Sequence, residues 1–201
     1  MSEADWYEVT QGSALPQGDI MFHCPVFLTA RELQWPLAVD AEVGVRVQVF
    51  DLVVMTQGCD LENDKLKDIL LAQVVAWPDA VRDEVGRGNE AVKGDKFRKL
   101  LVDGSIPGLS LLHRREELPR LPWSVVDFRH LFTLPKAFTG PFAASCGPRL
   151  RLRSPYREHL AQAFARYFMR VGLPHDAKAF EKEGDVSSVC FTKRPARIIS
   201  P

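Results

Sequence analysis

The stretch LVVMTQGCDLENDKLKDILLAQVV, Leu52 to Val75, decides the fold. Its first four residues, Leu52 to Met55, form an unbroken apolar run, and DILLAQVVAW, Asp68 to Trp77, is a second run of the same kind. Short apolar runs bounded by turn residues suit strands buried on both faces. Between them Gly58 lets the backbone bend as the first strand leaves the core. The acids Asp60, Glu62 and Asp64 alternate like the start of a calcium loop. An EF-hand would then require glycine at position 65 and glutamate at 71, where Lys65 and Leu71 stand, so a solvated hairpin turn is expected.

Working upstream, Val43, Val45, Val47 and Val49 alternate with Gly44, Arg46 and Gln48, the period of a half-buried strand. GDIMFHCPVFL, Gly18 to Leu28, is a further strand, and Pro25 marks an edge position or a bulge in it. Downstream, residues 78–104 are charged, glycine-containing and helix-patterned in two pieces, an excursion between strands. Phe97, Leu100 and Leu101 supply its apolar stripe, and Gly104 ends it. Strand character returns at Gly108–Arg114, at Trp123–Leu134 and in RLRLR, Arg149 to Arg153. In SPYREHLAQAFARYFMRVGLP, Ser154 is the expected N-cap and Pro155 the first helical residue. Tyr156, Leu160, Phe164 and Phe168 repeat every four residues, with Ala161, Ala165 and Met169 beside them, and Gly172 and Pro174 stop the helix. That face requires a sheet to cover.

The expected class is therefore mainly β with α: a small β-barrel, a helical insertion, and a C-terminal helix packed on the sheet. The organisation is a leader over residues 1–17, one domain over 18–174 with its insertion at about 78–104, and a tail over 175–201. With 201 residues, 46% of them hydrophobic, the chain is long enough for one real core. Its 26 basic and 26 acidic residues cancel, so no global attraction to nucleic acid or an anionic membrane is expected. The acidic N-terminus lacks the apolar core of a signal peptide, and no apolar run is long enough to span a bilayer. Cysteines at 24, 59, 146 and 190 contain no CxxC pair, which argues against a disulfide framework and for a reducing, cytoplasmic setting.

The GDIMF opening at Gly18–Phe22, the strand–turn–strand of Leu52–Val75 and the late strand–helix pair resemble the MazF/PemK growth-inhibitor toxins. The resemblance covers about half of the chain. It implies an SH3-like barrel, a bacterial toxin–antitoxin or defence setting, and RNA cleavage. The chain departs from the family where its hydrolytic members place Arg-Pro before the first apolar strand. Phe50 and Asp51 stand there instead, removing an arginine that would stabilise charge on a scissile phosphate.

Four groups of residues invite chemistry. Cys59 and Asp60 at the bend, with His23 and Cys24 on a neighbouring strand, form a nucleophile–base arrangement or a zinc set; a buried thiol is the plainer expectation. Arg149, Arg151 and Arg153, joined by Arg157, form a basic face able to track phosphates, or an exposed face paired with acids. Asp127, in an apolar strand, needs a partner such as Arg129 or a turn amide, with His130 close by. Trp77, Phe97 and Phe180 are the apolar anchors a protein partner would take. No phosphate-binding glycine loop, serine elbow or HExxH is present, so neither cofactor nor metal is expected. The favoured expectation is a non-catalytic accessory or adaptor module that binds protein. The alternative is a divergent RNA-binding protein or endoribonuclease. Homo-oligomerisation is open, and membrane association is not expected.

Overall fold

The computed structural model describes residues 5–29, 36, 43–58 and 66–169. Their strands are β1 (Tyr7–Thr10), β2 (Asp19–Thr29), β3 (Val45–Val54), β4 (Asp68–Ala76), β5 (Leu109–Leu112), β6 (Ser124–Pro135) and β7 (Arg149–Leu152). They make one antiparallel sheet in the order β1-β7-β2-β3-β4-β6-β5. The helices are α1 (Trp77–Gly86), α2 (Asp95–Val102), α3 (Lys136–Ser145) and α4 (Tyr156–Phe168), with a 3-10 turn at Glu90–Lys93. Among these residues no helix is long and apolar enough to cross a membrane.

The two apolar runs of Leu52–Val75 are central strands, as their composition requires. Leu52, Val53, Val54, Leu71 and Ala72 are fully buried, and β3 pairs β4 from Asp51–Val74 to Val54–Leu71. Successive residues serve opposite faces of the sheet. Ile20, Val53, Ala72, Val126, Phe128 and Leu150 belong to one core, completed by Tyr7 of β1 and Leu112 of β5. Met21, Leu52, Val54, Ile69 and Leu71 belong to the second, covered by Leu15 and by Ala143 of α3.

The ladder does not close. β1 and β5 are its two edges and share no backbone pairing among the described residues, so the fold is mainly β with α, and its sheet is open and curled rather than closed. The edges nevertheless approach each other, because strand twist curls the sheet around the first core. Tyr7 donates its hydroxyl to the carbonyl of His113 at 2.7 Å, and the Trp6 and His113 rings lie 5.6 Å apart.

Part of the segment before Gly18 joins the sheet. There β1 pairs β7 and Tyr7 is 3% exposed. A four-residue strand with two inward side chains carries too little periodicity to be seen in sequence. Gly18 then turns the chain into β2 at φ +87°, and a Cβ there would meet Arg157 and Leu152 at 3.2 Å. That is a physical reason for the glycine in the GDI opening.

The insertion forms its two helices as expected, with a small core of Ala80, Leu101, Leu109 and Val125. α3 was not foreseen. It contains Gly140 and Pro141, poor helix formers, and is held by burial of Thr139 and Ala143 against the sheet. α4 packs on the first core through Leu160, Tyr156, Ala163, Phe164 and Tyr167. The N-cap position falls at Pro155 rather than at Ser154, with Tyr156 the first helical residue, and Phe168 is 56% exposed rather than buried. Each four-residue step overshoots a helical turn by about 40°, so the stripe drifts off the core by its third step. Gly172, Pro174 and the tail 175–201 lie outside the described residues.

Candidate interaction surface

β2 and β3 continue together beyond the sheet. β4 pairs β3 only over Asp51–Val54, and β7 pairs β2 only at Asp19 and Ile20. From Cys24 to Thr29 and from Val45 to Phe50 the pair is a two-stranded ribbon. It begins at a bulge, where Phe22 and His23 together oppose Asp51. His23 adopts φ +54°, and its amide donates to Asp51 Oδ1 at 2.8 Å. The bulge shifts the alternation by one residue, so Cys24, Val26 and Leu28 continue the buried face that Met21 began. Pro25 follows the bulge on an unpaired edge, as its missing N–H demands.

The other face of the ribbon is apolar and open. Cross-strand pairs Phe27–Val47, Thr29–Val45 and Pro25–Val49 lie on it. Val45, Val47 and Val49 are 61, 56 and 55% exposed and Phe27 is 52% exposed. The valine alternation was expected to mark a half-buried strand; among the described residues nothing buries it. Phe27 touches the Phe138 ring of α3 edge-on at 5.6 Å, so one end of the row is braced. No charged side chain interrupts the valines on this face, because Arg46 and Gln48 pair with Leu28 and Val26 on the opposite one.

The bend that raised the question of chemistry divides at Gly58. Met55 and Thr56 are buried, and the Leu70 amide donates to Thr56 Oγ1 at 2.7 Å, closing the strand end. Cys59 and Asp60 lie outside the described residues. Their proposed partners do not converge as a site. His23 is exposed beside Asp51, Nδ1 to Oδ1 3.4 Å, whereas Cys24 is fully buried in the second core. Burial, with a smaller contribution from Cys146, pushes the Cys24 thiol up to about 12. Such a thiol is neither nucleophile nor ready metal ligand. Iodoacetamide at about pH 8 is expected to label Cys146 and spare Cys24 until the protein unfolds, checked by peptide mass mapping. Among the described residues no three His, Cys, Asp or Glu side chains gather as a metal cluster.

The arginine strand alternates as expected, but it is not an open basic ladder. Arg149 is fully buried and donates to the carbonyls of Gly12, Ala14 and Ala143 and to Asp19 Oδ2. Arg151 straddles the same carboxylate and reaches Glu8 Oε1 at 3.3 Å. Asp19 holds the Arg151 guanidinium above its usual range despite partial burial. Arg153 meets Asp5 at 2.7 Å and Arg157 meets Glu158 at 2.7 Å. The acid required to bury Arg149 sits in the Gly-Asp-Ile opening, 130 residues away in sequence. No local pattern announces that pairing.

Asp127 has the partner its burial demanded. Arg129 binds it through its amide at 2.9 Å and through Nε and Nη2 at 2.8 and 2.7 Å. The Arg129 Nη1 bridges to Glu84 of α1 at 2.7 Å, and His130 Nδ1 lies 3.2 Å from Asp127. Burial alone would raise both carboxyls, but the hydrogen bonds of Arg129, and of Asn89 to Glu84, hold them below their ordinary values. This cluster clamps the insertion to β6. Trp77 and Phe97, both half-buried, lie 6.4 Å apart and pack against the small core of the insertion. Phe180 lies outside the described residues. No family model matches the chain, and no curated protein matches it either.

Proposed function

We propose that the chain is a non-catalytic, protein-binding adaptor or accessory module, built on an SH3-like barrel left open along one seam. Its docking face is the apolar row of Phe27, Val45, Val47 and Val49, and that row is the observation that carries the reading. Contiguous exposed apolar patches on water-soluble folds mark interaction sites. A ribbon projecting from a rigid sheet presents its side chains at fixed spacing, which limits the entropy lost on docking. The buried Arg149 and the carboxylate partners of Arg151, Arg153 and Arg157 weigh in the same direction, since guanidiniums already neutralised gain less from phosphate.

Val47→Asp is expected to leave the melting temperature unchanged, because the side chain is more than half exposed, and to weaken partner capture by about tenfold or more. The check is affinity capture from the native host by wild type and variant, with reconstitution from the purified partner. Identical capture by both proteins, or capture by neither, overturns the reading.

The second reading, an RNA-binding relative of the MazF/PemK toxins, has one observation in its favour. A cavity of about 340 Å³ beside Gly58 has Arg151 and Lys136 in its wall, next to the bend that leads to Cys59. RNA binding that falls steeply with salt and is lost in Arg151→Glu would select it.

A further inference from the structure

The curled sheet has a slot along its seam, between β1 and the segment that follows β5. The slot measures about 420 Å³ and is lined by residues 5–9 on one side and 113–117 on the other. Arg153 N donates to the Trp6 carbonyl at 2.9 Å, which makes Trp6–Arg153 a hydrogen-bonded pair of the β1–β7 ladder. Antiparallel pairs alternate, so at Tyr7–Leu152 and Val9–Leu150 the β1 main chain turns its N–H and C=O away from β7, toward the slot. On the far side of β7, Leu152 N donates to Gly18, as that alternation requires.

Two further observations describe the slot: side chains of Trp6 and Tyr7 bridge it to His113 at one end, and at Val9 it is open among the described residues. Tyr7 crosses it with its whole side chain plus a hydrogen bond of 2.7 Å to His113. That reach is about 9 Å, roughly twice the spacing between paired strands. Val9 shares the inward face of β1 with buried Tyr7 and opposes Leu150, which is fully buried, yet Val9 is 49% exposed. An inward valine in a completed sheet would have a neighbour on both sides. In the opposite wall Arg115 keeps Nε buried with no acceptor among the described residues.

We infer that the seam is a strand-addition site: an extended segment of a partner polypeptide pairs with the open edge of β1 and lays an apolar side chain against Val9. The site is separate from the ribbon and does not depend on it. The charges favour a polypeptide over a polyanion. Arg115 is met by Glu117, Arg114 by Glu116 and Arg153 by Asp5, and Glu8 adds a further acid. Main-chain hydrogen bonds supply the affinity in this mode, and side chains alternating into the slot supply the selectivity.

The test uses the full chain and a display library of random linear peptides about ten residues long, the upper range of strand length. Enriched peptides are expected to slow amide exchange at Tyr7 and Val9 by about tenfold or more. Val9→Pro should abolish their binding without loss of stability, because the Val9 N–H makes no bond to β7. Val47→Asp should bind them as wild type does. Of the two alternating sets of N-methylated peptide, the one that blocks the N–H groups facing β1 should fail against the unmodified protein while the other binds, a readout that does not depend on how any variant folds. Peptide binding that survives both Val9→Pro and N-methylation of either set overturns the inference, as does failure to enrich any peptide. Protection of Tyr7 and Val9 in the free chain also overturns it: protection lost on dilution assigns the slot to a second copy, and protection that persists assigns it to the chain itself.

Discussion

Arg149→Met is expected to destabilise the protein by about 3–5 kcal/mol, the cost of removing one partner from a buried ion pair. Arg149 has 1% of its side chain exposed and Asp19 none. The guanidinium also gathers three carbonyls, from Gly12, Ala14 and Ala143, each left without its donor by the substitution. Those carbonyls belong to the loop before β2 and to the last turn of α3. The variant should therefore loosen the N-terminal segment and α3 together, while the insertion keeps its own small core. Arg149→Lys is expected to recover only part of the loss, because an ammonium lacks the fork that serves four acceptors at once. Urea unfolding of the three proteins checks the ordering. A stability change under 1 kcal/mol in the methionine variant would contradict the reading of Arg149 as a structural group.

Arg129→Met is expected to cost about 2–3 kcal/mol at neutral pH, less than a fully buried pair because Arg129 is one-third exposed. It leaves the nearly buried carboxylate of Asp127 with His130 and the backbone amide of residue 129, and takes one of three partners from Glu84, which keeps Asn89 and Arg87, at the junction of β6 and α1. The pH dependence follows from the direction of each shift. In the wild type both folded-state carboxyls lie below their ordinary values of 3.8 and 4.5. Their stabilisation is therefore complete above those values and is lost as pH falls through the lower, folded ones. Without the Arg129 side chain only His130 and that amide are left to oppose burial at Asp127, its carboxyl rises relative to the wild type, and protonation costs the variant less than it costs the wild type. The difference between wild type and variant should thus be largest near neutrality and narrow toward acid. Unfolding curves across the acidic range measure it; a difference independent of pH would mean that Arg129 acts by packing alone.

Elements whose local chemistry points to a single conformation are legible in the sequence. Leu52–Met55 and, but for Gln73, Ile69–Val75 are apolar on both faces, which suits central strands, and β3 and β4 lie at the centre of the sheet. The two-piece helical insertion and the terminal helix were legible from their spacing. Asp127 needed a partner, and Arg129, two residues away, was the partner to name. In each case the information lies within a few residues.

Tertiary structure decided what depends on neighbours distant in the chain. Periodicity shows that Val45, Val47 and Val49 share a face, yet only the lengths of the flanking strands leave that face open beyond Asp51 and Ile20. The bulge at His23 then sets which side chains of β2 enter the core. The arginines of β7 alternate like an exposed face, and a carboxylate 130 residues away draws Arg149 inside. Trp77 and Phe97 read as surface anchors, and the insertion brings them together half-buried. Whether the sheet closes is the least local property of all. It depends on the summed twist of the sheet, which brings Tyr7 to the carbonyl of His113 without pairing β1 with β5 among the described residues. Local pattern says which residues belong together on a face; long-range pairing says what, if anything, covers it.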